Sequence, residues 1–67
     1  MTSEADVYRS ASVIMRQHGD TALEVAQARA NKLWDAGDDE GAAVWMRIAR
    51  AIEVLRKTKT ESEDAVH

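Results

Sequence analysis

The sequence predicts an all-α protein with a single small domain. Three observations support this: proline is absent, alanine is frequent, and apolar residues recur at three- and four-residue spacings through most of the 67 residues. Two glycine–aspartate pairs, at 19–20 and 37–38, interrupt the periodicity. Glycine suits the position after a helix end, and aspartate suits the start of the next helix. We therefore predict three helices, at about 4–18, 21–36 and 39–57, which together form a domain over 1–57.

The first helix is predicted to begin after Ser3. The Ser3 hydroxyl can cap the helix, and Asp6 approximates the second half of a capping box, with Asp where Glu is usual. Gly19 marks the end of the helix, because glycine reaches the left-handed conformation without a Cβ clash. The apolar stripe of this helix consists of Val7, Ala11, Ile14 and His18.

The second helix is predicted to start at Asp20 or Thr21. Thr21 and Glu24 have the spacing of a capping box, and Asp20 is the competing cap. The stripe of this helix is small at Ala26 and Ala30, so a partner helix can approach closely there. Gly37 then ends the helix, and the short connection predicts antiparallel neighbours.

The third helix is predicted to start at Asp38 or Asp39, whose carboxylates can accept hydrogen bonds from the first free N–H groups. Gly41 lies in its first turn, where it costs helix propensity and allows close packing of the hairpin. After residue 57 the apolar pattern stops, and the polar segment 58–67 is predicted to be a disordered tail. The main stripe consists of Ala42, Trp45, Ile48, Ala49, Ile52 and Leu55.

The two tryptophans flank the predicted turn between the second and third helices. Trp34 and Trp45 lie on apolar stripes, so we predict that they act as core anchors; if both face inward, they can meet across the hairpin. Gly19 and Gly37 are the corresponding backbone anchors. The alternative function for the tryptophan pair is a platform for a ring-shaped ligand.

Composition limits both the stability and the location of the protein. A chain near 60 residues buries only about 60% of its unfolded surface, and the absence of cysteine excludes disulfides and thiolate metal sites. A homodimer would bury additional apolar surface and so compensate for the small core of one copy.

No apolar run approaches the ~20 residues of a membrane span, and the N-terminal residues lack the features of a secretory signal. We expect a cytoplasmic protein of a bacterium-like cell.

The sequence offers little for catalysis. His18 beside Asp20 has the residue types of an oriented general base, but a helix-terminal histidine bound to its own turn is the simpler interpretation. Serine residues lack a nucleophile-elbow context, and no glycine-rich phosphate loop is present. We therefore predict no catalytic residue, no metal ligand and no cofactor.

Nucleic-acid binding is a second hypothesis, because two helices joined by a short turn resemble a helix-turn-helix. The start of the third helix, however, carries three acidic residues that would repel phosphate, and the formal net charge is −3. A basic region follows farther along, and the cations in it also complement a helix C-terminus. These cations are Arg47, Arg50, Arg56, Lys57 and Lys59.

Excess apolar residues favour a protein-interaction module over these alternatives, and a regulatory role is one form that such a module takes. They broaden the first and third helices beyond the single face that a three-helix domain needs to cover. The predicted interaction residues are Val13, Met15, Val44, Met46 and Val54. The partner is an unidentified protein or a second copy of the chain, and a phage- or plasmid-derived inhibitor is a special case of this function.

The ordered part of the chain is similar to a family of short bacterial helical proteins known as a domain of unknown function. The resemblance consists of a His-Gly pair, a Gly-Asp turn and a Gly-small-x-x-Trp helix start. It implies a compact helical fold and assigns no catalytic residue. The residues that carry it are His18, Gly19, Ala22, Arg29, Leu33, Gly37, Asp38, Gly41, Ala42, Trp45, Ile48, Ala49 and Leu55.

Overall fold

The computed structural model describes residues 3–66, with side chains described for residues 3–58, and is almost wholly helical. Helix α1 is Glu4–His18, α2 is Ala22–Asp35 and α3 is Asp39–Val66. A single 3-10 turn, Gly19–Thr21, joins α1 to α2 without a non-helical residue between them. Helix α3 packs against both α1 and α2. The predicted all-α fold is confirmed, and the helix starts agree with the prediction to within one residue.

The start of α1 has the predicted cap. The Ser3 hydroxyl oxygen accepts a hydrogen bond from the Asp6 N–H at 3.2 Å, and the Ser3 carbonyl accepts the Val7 N–H at 3.0 Å. The first bond satisfies one of the backbone donors that every helix start leaves free, and the second is the first regular hydrogen bond of the helix. Ser3 therefore sets the position at which α1 begins.

The junction between α1 and α2 depends on Gly19. Its φ of 56° and ψ of −124° lie where side chains with a Cβ are strained, and its N–H donates to the Met15 carbonyl. The predicted capping box of Thr21 and Glu24 is wrong, since the Thr21 hydroxyl instead donates to the His18 carbonyl at 2.9 Å. The Thr21 hydroxyl thus satisfies a carbonyl at the end of α1 and does not cap α2. Helix α2 begins at the next residue, Ala22.

The turn between α2 and α3 is a Schellman motif built around Gly37. The Gly37 N–H donates to the Trp34 carbonyl at 3.0 Å, and the Asp38 N–H donates to the Leu33 carbonyl at 2.8 Å. Gly37 has a φ of 83°, so its predicted left-handed conformation is confirmed. The connection is three residues long and folds α3 back along α2.

Asp38, rather than Asp39, caps the start of α3. Its carboxylate accepts a hydrogen bond from the Gly41 N–H at 2.9 Å, and its carbonyl accepts the Ala42 N–H at 3.0 Å. A Cβ on Gly41 would lie 2.9 Å from the Asp38 carboxylate carbon. The glycine thus leaves room for the capping carboxylate, which differs from its predicted role in bringing the helices of the hairpin close together.

The core lies along one face of α3 and is made mostly of alanine. Alanine methyl groups let the three helices approach closely, but each removes little apolar area from water. Ile52, with no exposed surface, is the largest fully buried side chain. The buried residues are Val7, Ala11, Ile14, Ala22, Ala26, Ala30, Ala42, Ile48, Ala49, Ala51 and Ile52.

Helix α3 does not end near residue 57 as predicted but continues to Val66. The predicted disordered tail over 58–67 is therefore corrected for 58–66, while His67 lies outside the described residues. Loss of the apolar stripe after residue 57 shows only that the helix no longer packs against the core. The helix itself can continue, because residues 58–67 include no proline or glycine to end it. Within the described chain, none of the helices has the combination of length and apolar character needed to cross a bilayer.

Candidate protein-interaction surface

An exposed tryptophan lies beside an exposed methionine on the surface where α2 meets α3. Trp34 is 47% exposed and Met46 is 53% exposed, and both line a shallow groove of about 340 Å³. Ala30 and Ala49 form the small, buried floor, and Gln27 and Asn31 supply amide groups at its side. We call these six residues the Trp34–Met46 patch, and none of them carries a charge.

The prediction that Trp34 is a core anchor is wrong, because its side chain is exposed. At 100° per residue, Trp34 is about 80° around α2 from Ala26, which places it at the margin of the buried stripe. The groove floor beside it consists of the buried Ala30 and Ala49, and α3 also contributes the exposed Met46 to the lining, which leaves the indole partly uncovered. Trp34 lines the side of the groove, and nearly half of its surface is exposed to solvent.

Trp45 takes the inward position that was predicted for it. It is half-buried and packs against the core, and the Arg29 guanidinium carbon lies 5.0 Å from the centre of its ring. This cation–π contact connects α2 to α3. Trp45 therefore packs against the core, while Trp34 is a surface residue.

A second groove separates α1 from α3 and has a basic rim. It has a volume of about 360 Å³, and Arg47 and Arg50 lie on its α3 side with the half-buried Tyr8 on its α1 side. Its apolar lining consists of the buried Val7 and Ala51 together with Val54, which is 42% exposed. These six residues are called the basic groove, and Glu4 lies at its edge as the one acid in its lining.

The five predicted interaction residues divide into two groups. Val13, Met46 and Val54 are exposed as expected, whereas Met15 and Val44 are half-buried and pack against the core. The prediction that Met15 and Val44 are exposed is wrong, because the buried faces of α1 and α3 are wider than the single apolar stripe read from the sequence. The three exposed residues line three separate grooves, so they do not form one continuous surface.

Groups able to perform chemistry are scattered over the described residues. No three histidine or acidic side chains come together there to hold a metal ion, and no buried side-chain nitrogen or oxygen lacks a hydrogen-bond partner. His18 is exposed at the end of α1, and its carbonyl accepts the Thr21 hydroxyl. Arg56 donates to the Asp20 carbonyl at 2.8 Å and so helps to hold α3 against the 3-10 turn.

Sequence reasoning did not identify the basic groove or the side-chain neighbours of Trp34. A signal for the groove was available in the spacing of Arg47, Arg50 and Val54, which places all three on one side of a helix. The placement of Trp34 and Met46 in one groove had no such signal, because it depends on how α2 and α3 are rotated against each other.

Comparisons were made with protein-family models, with curated proteins and with solved structures, and none of the three finds a match for this chain. The resemblance to a family of short bacterial helical proteins accordingly stays a prediction. The candidate surface is assigned from the geometry of the chain alone.

Proposed function

We propose that this chain is a small, non-enzymatic three-helix module that works in the cytoplasm by binding protein. The observation that carries the proposal is the Trp34–Met46 patch, where two large apolar side chains stand in water beside a shallow floor. Tryptophan is strongly enriched among the residues that dominate binding energy at protein interfaces, and methionine adapts its shape to a partner.

A second copy of the chain is the partner that the patch fits best. In a two-fold symmetric dimer the same surface meets itself, so it must contain both a projecting part and a receiving part. Here Trp34 and Met46 project, and the alanine floor receives. The patch carries no charge, so no like charges are brought together at the symmetry axis.

The composition of the core supports the same partner. Seven of the eleven buried apolar residues are alanine, so the core of one copy supplies limited apolar area. Covering Trp34 and Met46 in a dimer adds apolar burial without enlarging the core. The dimer is thus expected to be more stable against unfolding than one copy alone.

Sedimentation velocity over a range of protein concentrations tests the proposal. Wild type is expected to shift from the mass of one copy toward twice that mass as concentration rises. Met46→Glu should remain a single copy. Removing an interface hot spot costs about 2 kcal/mol or more of binding free energy, which raises the dissociation constant at least roughly 30-fold. Ser12→Glu is the matched control, since it adds the same charge at an exposed position of α1.

Circular dichroism of each variant verifies that the helices remain folded, which is expected because Met46 and Ser12 are exposed. If wild type stays a single copy at every concentration, the homodimer is excluded. Capture from a cell extract then tests the general proposal. A specific partner must be retained by wild type and Ser12→Glu and lost with Met46→Glu.

A further inference from the structure

We propose that the basic groove between α1 and α3 binds an acidic amphipathic helix of another protein. This inference uses a different surface from the Trp34–Met46 patch and does not depend on dimer formation. It follows from the charge of the groove rim, the apolar residues of its floor and the spacing of its residues along α3.

The rim of the groove is cationic although the whole chain is acidic. Arg47 and Arg50 are both exposed, and within the described residues neither forms an ion pair with a carboxylate. With Glu4 at the edge, the groove has a net charge of about +1, against −3 for the full sequence. Guanidinium groups bind carboxylates through two parallel hydrogen bonds, so these arginines favour an acidic ligand.

The floor of the groove is apolar and allows close approach. Val7 and Ala51 are buried there, and the small alanine lets the backbone of a docked helix come near α3. Val54 extends the apolar surface outward beyond the floor. A ligand with carboxylates alone would leave the exposed Val54 in water, so the fitting ligand also has an apolar face.

The length of the groove matches about two turns of helix. Residues 47 to 54 of α3 span roughly 10 Å at 1.5 Å per residue. A docked helix can place apolar residues at i, i+3 or i+4, and i+7 along this distance, with acids at the neighbouring positions. That pattern is an acidic amphipathic helix.

Two other ligands fit the groove less well. A second copy placed symmetrically on this surface would bring the arginines of one copy toward those of the other. A nucleic acid would meet Glu4, an apolar floor and a protein of net charge −3, while only Tyr8 offers a ring for stacking.

The test uses two designed fluorescein-labelled peptides and fluorescence anisotropy with the full-length protein. In the first peptide, leucines recur at helical spacing between glutamates; in the second, the same residues are scrambled so that no apolar stripe remains. The variants are Arg50→Glu and Val54→Asn in the groove, with Arg16→Glu as a control at an exposed position of α1. A duplex DNA of similar charge is measured in parallel.

We expect the striped peptide to bind wild type and the scrambled peptide to bind much more weakly. Arg50→Glu should raise the dissociation constant about tenfold, since it reverses a charge at the rim, and Arg16→Glu should change it by less than about twofold. Val54→Asn should weaken binding at high salt as well as at low salt, because the apolar contact is not screened.

Several results would overturn the proposal. One is failure of the striped peptide to bind; another is equal binding of both peptides, which would indicate attraction by charge alone. Equal weakening by Arg50→Glu and Arg16→Glu would exclude the groove as the site. Binding of DNA with the same dependence on Arg50, in place of the peptide, would identify a nucleic-acid surface. Met46→Glu should leave peptide binding unchanged, which separates this proposal from the proposed function.

Discussion

Replacing Gly41 with alanine is expected to leave the free energy of unfolding nearly unchanged in wild type and to raise it when Asp38 has already been replaced. The Asp38 carboxylate caps α3 by accepting the Gly41 N–H at 2.9 Å. A Cβ at position 41 would lie 2.9 Å from the carboxylate carbon, so the carboxylate must move away from the N–H. The two residues are therefore coupled through the space that the glycine leaves open.

The magnitude follows from two opposing effects. A glycine-to-alanine change inside a helix stabilises it by up to ~1 kcal/mol, and loss of an aspartate cap costs about 0.5–2 kcal/mol. In wild type the effects nearly cancel, because Gly41→Ala both improves helix propensity and disturbs the cap. In Asp38→Ala no cap remains to be disturbed, so the full ~1 kcal/mol is gained. The expected coupling energy is about 1 kcal/mol.

Urea unfolding of wild type, Asp38→Ala, Gly41→Ala and the double variant, followed by circular dichroism, measures this coupling. In thermal unfolding, 1 kcal/mol corresponds to a shift of about 4–8 °C in Tm for a domain of this size. The two substitutions would be independent if Gly41→Ala stabilised both backgrounds equally, to within about 0.3 kcal/mol. That result would refute the cap geometry as the reason for the glycine.

Substitutions at three further positions test the fold. Gly19→Ala should lower the free energy of unfolding by about 1–3 kcal/mol, because a Cβ is strained at its φ of 56° and ψ of −124°; an unchanged thermal midpoint would contradict this. Ile52→Ala should lower the free energy of unfolding by about 2–5 kcal/mol and Ile52→Val by about 0.5–1.5 kcal/mol, because Ile52 is fully buried. Equal losses of stability for the two variants in urea unfolding would show that Ile52 is not the centre of the core. Arg29→Gln should cost about 0.5–1 kcal/mol by removing the cation over Trp45. In a Trp34→Phe background it should also shift the Trp45 fluorescence to longer wavelength, and an identical spectrum would exclude the contact.

The helix boundaries were largely predictable because local chemistry determines them. Ser3, Gly19 and Gly37 act through hydrogen bonds and backbone angles of their immediate neighbours, which a sequence displays directly. The end of α3 was predicted wrongly for the opposite reason. Loss of the apolar stripe after residue 57 marks where packing stops, and a helix can continue beyond its packed part.

The surface was harder to predict, because exposure at a stripe margin depends on tertiary rotation. Trp34 and Met15 both lie near the edge of an apolar stripe, yet Trp34 is exposed and Met15 packs against the core. The groove beside Trp34 is lined from α3 by the buried Ala49 and the exposed Met46, which together leave much of the indole uncovered. Hydrophobicity and spacing alone do not contain this information.

The accessibility of Trp34 at different protein concentrations is the most direct test of the proposed dimer surface. A Trp45→Phe variant leaves Trp34 as the only tryptophan, so acrylamide quenching of its fluorescence measures how much of its ring water reaches. We predict strong quenching in dilute protein and progressively weaker quenching as concentration rises, in step with the increase in mass. Adding Met46→Glu should keep quenching strong throughout. Quenching that is weak even in dilute protein, or that stays constant while the mass doubles, would contradict the account.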